Sequence, residues 1–139
     1  MTPEQISLIR ASWQLVLPIS DDAAALFYGR LFELDPALRP MFQGDMTEQG
    51  RKLMQMITTV VRSLDRLERV IGAVEALGAR HAGYGVEDEH YATVGAALLW
   101  TLEQGLGDAW SDELGEAWDA AYGTLAGVMQ AAAARSAAA

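Results

Sequence analysis

Histidine, tyrosine and glutamine are the side chains through which this chain can do chemistry, because it contains no cysteine. That absence removes thiolate nucleophiles, thiolate metal sites and disulfides together, and it fits a reducing cytoplasm. Of the two histidines, His81 has the telling position. It closes an apolar stripe: at about 3.6 residues per turn, Leu67, Val70, Val74, Leu77 and His81 fall on one helix face. Behind it, Ala82-Gly83-Tyr84-Gly85 supplies glycines that can take the left-handed conformations that stop a helix. An imidazole at the foot of an apolar ridge is a good ligand for a borderline metal and the usual axial ligand of haem iron. From the spacing alone, a core or surface histidine tied to a backbone carbonyl remains the plainer alternative. His90 stands among Glu87, Asp88 and Glu89 at a helix start and reads as solvated.

Two more polar side chains sit on apolar faces. Tyr28 follows Phe27 on a helix that also carries Ala24, Leu31 and Leu34 inward, where it is either a core tyrosine or a hydroxyl aimed into a pocket. Gln49 lies four residues before Leu53 on the same face, so its amide either projects to water or points inward. No glycine-rich phosphate loop, nucleophile elbow, HExxH or calcium loop is present. Nineteen acidic against ten basic side chains give a formal charge of −9, which repels phosphate backbones and anionic lipid surfaces. Nucleic acid and membrane are therefore excluded as partners. The start lacks a signal peptide's pattern, and no apolar run approaches the length of a membrane span. A chain of 139 residues suits one domain, residues 1–139.

The elements that must position these residues are all helices. Thr2-Pro3-Glu4-Gln5 is a capped start for a first, peripheral helix with Ile6, Ile9, Trp13 and Val16 on one face before Pro18. Ser20 is expected to cap the second, with Asp21 and Asp22 matched to its dipole. Asp35-Pro36 opens a short helical piece, Pro36 to Met41, that ends at Phe42. Thr47 is expected to cap a longer helix carrying Leu53, Ile57, Val60, Val61 and Leu64, broken at Ser63-Leu64-Asp65 before the helix of His81. Glu87, Asp88 and Glu89 start a further helix with Tyr91, Val94, Leu98 and Leu102 buried and Gly105 and Gly107 at its end. Ser111 caps the last, with Leu114, Trp118, Tyr122, Leu125 and Val128 inward, and the alanine-rich tail from Ala131 to Ala139 extends it or frays. The expectation is an all-α fold of six substantial helices and one short one.

Four segments, in order, carry a likeness to a known family: LFYGRLFELDPALRPMFQ, EQGRKLMQMI, LGARHAGYGVEDEHYATVG and AWDAAYGTLAGVM. From Trp13 to about Met129 the chain resembles the globins. It is most similar to the bacterial single-domain haemoglobins and the haem domains of flavohaemoglobins, with a likeness to neuroglobin-like globins of thermophilic and acidophilic bacteria. The resemblance implies the globin fold, with helices packed in steep pairs around a pocket for haem b, iron protoporphyrin IX. It implies His81 as the proximal iron ligand, Phe42 packed on the haem, and Leu53 closing the pocket beside a distal pair, Tyr28 and Gln49. Leu77, Tyr84, Val86, Tyr91 and Val94 complete the expected cofactor-binding set.

That likeness implies high-affinity dioxygen binding with slow release, hydrogen-bonded by Tyr28 and Gln49, and possible scavenging of nitric oxide. The alternative is a nitric oxide dioxygenase served by a separate reductase, with Tyr28 and Gln49 as its distal pair. Small haem ligands are the expected partners in either case, in the cytoplasm. Tyr91 matches a tyrosine that polarises the proximal imidazole in flavohaemoglobins, but the region of their partnering glutamate reads Gln130 to Arg135 without an acid. A haem-free helical interaction domain, a third class, is disfavoured because the histidine, the corner phenylalanine and the distal pair are all present.

Overall fold

Thr2 and Gln5 close the first turn reciprocally in the computed structural model, which describes residues 1–138. The Gln5 amide N–H donates to Thr2 Oγ1 at 3.1 Å and the Thr2 N–H to Gln5 Oε1 at 3.0 Å, the capping box expected from the sequence. Helix α1 then spans Pro3–Val16, and a 3-10 turn at Leu17–Ile19 leads into α2, Ser20–Leu34. A second 3-10 segment, Pro36–Met41, precedes α3 at Met46–Arg62. A third at Leu67–Arg69 precedes α4 at Ile71–Gly83; α5 spans Asp88–Leu106, and after a last 3-10 turn at Gly107–Ala109, α6 spans Asp112–Ala138. The described residues contain no strand. The tail thus extends the last helix through Ala138; Ala139 lies outside the described residues.

Several local expectations need correction. Ser20 is the first residue of α2 and not its cap, because the preceding 3-10 turn already binds its N–H through the Leu17 carbonyl. Asp45, rather than Thr47, caps α3, its Oδ1 accepting the Thr47 N–H at 2.9 Å; a carboxyl two residues earlier, just outside the helix, is better placed for the helix's free N–H groups. The stripe from Leu67 to His81 is not one helix, since Leu67–Arg69 is 3-10 and α4 begins at Ile71. Leu34 is 43 % exposed at the end of α2. Ser111 does cap α6, accepting the Leu114 N–H at 3.1 Å.

The first helix is not peripheral either. Ile9, Trp13 and Val16 are among the most deeply buried residues, in a core shared with α3 and α6. The Trp13 and Trp118 rings meet at 5.9 Å. Each indole N–H is paired: Trp118 Nε1 donates to Ser12 Oγ at 2.9 Å and Trp13 Nε1 to Thr58 Oγ1 at 3.0 Å. Both hydroxyls pass the bond on to backbone carbonyls, Ser12 to Ile9 and Thr58 to Met54, each at 2.8 Å. Arg10 ties α1 to the end of α3, donating to the carbonyls of Val61 and Arg62 and to Asp65 Oδ1 at 2.8 Å. Those carbonyls are among the last of α3, which lack intrahelical partners.

Two close helix contacts set where the functional residues sit. A Cβ at Gly50 would meet the Ala24 Cβ at 2.9 Å, so α3 crosses α2 at nearly backbone distance. Gly78 sits against the backbone of Met129, where any side chain would collide, and α4 thereby beds directly onto α6.

Candidate functional site

An aromatic cluster holds Tyr28. The ring is edge-on to Phe27 at 5.0 Å and to Phe42 at 5.3 Å, and stacked on Phe32 at 6.1 Å. Three elements converge to build it: α2 brings Phe27, Tyr28 and Phe32, the turn after Pro36–Met41 brings Phe42, and α5 brings Val94. That turn is fixed by Asp35, whose Oδ1 accepts the Ala37 N–H at 3.1 Å, and by Arg39, whose Nη1 donates to the Phe42 carbonyl at 3.2 Å. Leu53 packs on this cluster and on the tryptophan core alike, bridging the two.

Gln49, half-buried in the first turn of α3, is the polar neighbour of the Tyr28 hydroxyl. Burial raises the Tyr28 phenol above its ordinary pKa, and the nearby Gln49 amide only partly counters that. The phenol therefore stays protonated, and a donor, through the neutral range.

His81 lies on α4, half-buried. Its Nδ1 is 2.8 Å from the Leu77 carbonyl oxygen. A carbonyl can only accept, so Nδ1 carries the proton and donates; in the neutral ring the lone pair therefore lies on Nε2, which has no hydrogen-bond partner among the described residues. The chain turns immediately afterwards: the Tyr84 N–H donates to the Arg80 and His81 carbonyls, the Val86 N–H returns to the His81 carbonyl at 3.1 Å, and Gly85 takes φ 88°. Only glycine adopts that angle without strain. Tyr84 stands 64 % exposed, its ring 6.1 Å from that of His81. Leu77 and Val86 are half-buried. The Met41 methyl lies 4.0 Å from where a Cβ would stand at Gly85.

Tyr91 is 8 % exposed, and its buried hydroxyl has no partner. Its carbonyl accepts the Tyr122 hydroxyl at 2.6 Å. Desolvation raises both phenols, with the charge of Asp88 adding to the shift at Tyr91. Gln130 turns its amide towards the Asp88 carbonyl at 3.5 Å and away from the Tyr91 hydroxyl.

The structure thus gathers Tyr28, Phe42, Leu53 and Val94 around one cluster with Gln49 beside it, and His81, Leu77, Tyr84 and Val86 on and after α4. The helix of His81 packs on α6 and makes no comparable contact with α2 or α3. Phe42, Leu53, Leu77, Val86 and Val94 are each left only half-buried. Phe32, which completes the aromatic cluster, escaped the sequence reading; its spacing of one helical turn from Tyr28 was the available signal. His90 is not simply solvated, since its Nδ1 accepts the Glu87 N–H at 2.9 Å and caps α5.

A family model described as Globin matches residues 25–129. A flavohemoprotein of Vibrio cholerae is 32% identical over 131 residues, covering 92% of this chain and 33% of that protein. The chain spans about a third of the length of such flavohemoproteins. A leghemoglobin of Canavalia lineata is 32% identical over 139 residues, covering 93% of each chain. Among solved structures, a bacterial globin from Campylobacter jejuni superposes with a TM-score of 0.84 at 27% identity, covering 96% of this chain and 97% of the other. An engineered carbene transferase from Rhodothermus marinus, named as a nitric oxide dioxygenase, does so with a TM-score of 0.88 at 29% identity, covering 99% and 96%.

Proposed function

The chain belongs to the globin family, whose fold binds haem, and on that premise we propose that it holds haem b through His81 and binds dioxygen with high affinity and slow release. The residues fit the group. His81 offers an imidazole whose Nε2 has no partner among the described residues, and the apolar side chains of Leu77 and Val86 on and after its helix, and of Phe42, Leu53 and Val94 in the Tyr28 cluster, are only half-buried. When bound, haem would supply a ferrous centre with a sixth position open to diatomic ligands. Tyr28 and Gln49 supply the donors that a polarised diatomic guest needs, and the aromatic rings around Tyr28 exclude water from them. The absence of cysteine supports a cytoplasmic setting.

One observation carries this reading: a phenol buried among three aromatic rings, with an amide as its polar neighbour. A hydrogen bond to a charged acceptor in such surroundings contributes about 1.5–3 kcal/mol, hence roughly ten- to a hundredfold in off-rate. Replacing Tyr28 by Phe should speed dioxygen release by that factor in stopped-flow measurements. An unchanged rate overturns the role, and a protein that stays colourless when supplied with haem overturns the whole reading.

A nitric oxide dioxygenase working with a separate reductase is the second reading, favoured by the flavohemoprotein relatives and by the neighbour named for that activity. Against it stands the bond from His81 to a neutral carbonyl. A carboxylate partner would make the imidazole a stronger electron donor, and Gln130 supplies none. Nitric oxide consumption under oxygen with an added reductase separates the two: sustained turnover supports the enzyme, and decay after one equivalent supports the binding protein.

A further inference from the structure

Between the second half of α1 and the last turns of α3 lies a cleft of about 240 Å³, away from the residues assigned to haem. Ala11 and Leu17 give it an apolar lining over the almost wholly buried Trp13 and Val61, and Thr58 is already satisfied by its bonds to Trp13 and Met54. The two charged residues that line it are both guanidiniums, Arg10 and Arg62. In a chain with nineteen acids and ten bases, that local sign runs against the whole.

The two arginines are not equivalent. Arg10 is oriented by bonds from Nε and Nη2 to the Val61 and Arg62 carbonyls and to Asp65, which leaves Nη1 uncommitted. Arg62 makes no ion pair among the described residues. One guanidinium is thus pre-set and the other free to close on an anion. The volume equals roughly eight water molecules at ~30 Å³ each, too small for a fatty acid and enough for one ring with a short polar head.

We propose that this cleft binds a one-ring aromatic carboxylate, its ring against Ala11 and Leu17 and its carboxylate on Arg62 and Arg10. The site is independent of the haem reading.

The test uses the full chain, with carbon monoxide on the ferrous iron of any haem it holds, so that a carboxylate cannot coordinate there. Benzoate is titrated by calorimetry and by saturation-transfer NMR. Saturable binding is expected, weakened by added salt and at least about tenfold weaker for uncharged benzamide. Arg62→Glu should lower affinity by about tenfold or more, and Ala11→Trp, at an exposed position lining the cleft, should abolish binding by filling it. Should Arg62→Glu disturb the end of α3, Arg62→Met removes the charge with less perturbation, and circular dichroism verifies each fold. No saturable binding up to about 10 mM, equal binding of benzamide, or affinity untouched in both the Arg62 and Ala11 variants would overturn the proposal.

Discussion

The tryptophan core and the region of Tyr28 and His81 treat their polar atoms in opposite ways. Around Trp13 and Trp118 every buried donor ends on an acceptor: indole to hydroxyl, hydroxyl to carbonyl. Among the described residues, the two buried side-chain polar atoms without a partner, Arg30 Nε and the Tyr91 hydroxyl, both lie outside that core. His81 Nε2 has no partner either, although it is not one of the buried atoms, and the apolar side chains nearby are half-covered. A buried polar group left unpaired costs free energy. The first region is thus closed by its own residues, whereas the second keeps polar atoms without partners.

That contrast can be broken by mutation. Trp118→Ala, which empties part of the core and removes the donor to the Ser12 hydroxyl, should lower unfolding free energy by about 3–5 kcal/mol, read from urea melts of haem-free and haem-loaded protein alike. Ser12→Ala removes only an oxygen, yet leaves the buried Trp118 N–H unpaired, so a loss of about 1–3 kcal/mol is expected. Tyr91→Phe deletes a hydroxyl that has no partner, and in the haem-free protein it should be neutral or stabilising by up to about 1 kcal/mol. If the Ser12 and Tyr91 variants moved stability the same way and by the same amount, the two regions would not differ as described.

The smallest effect concerns pH. The phenols of Tyr28, Tyr91 and Tyr122 all lie above the ordinary value of 10.0 in the folded chain. Their contribution is therefore fully present below that value and is lost as pH rises past it, because the unfolded chain releases those protons first. Melting should be insensitive to these groups between about pH 6 and 9, with an alkaline decline that Tyr122→Phe softens.

Much of this was legible in the sequence because it is local. The capping box at Thr2 and Gln5, the serine cap at Ser111 and the short turn ending at Phe42 all follow from local spacings. The depth of α1 did not follow: periodicity tells which face is buried, not how much protein covers it, and the partner of Ser12 is Trp118, 106 residues away. The caps at Ser20 and Thr47 failed because a neighbour, a 3-10 carbonyl in one case and Asp45 in the other, was better placed. The loneliness of the Tyr91 hydroxyl is equally invisible, since a pattern that buries a ring is silent about what its oxygen meets.

Gly78 has a consequence for anyone who would retune this molecule. The helix bearing the imidazole rests on its neighbour with no side chain between them, like a bracket screwed flush to a wall. Adding one methyl there would act as a shim, tilting the mount and altering how far the ring nitrogen reaches, while every residue of the pocket kept its identity.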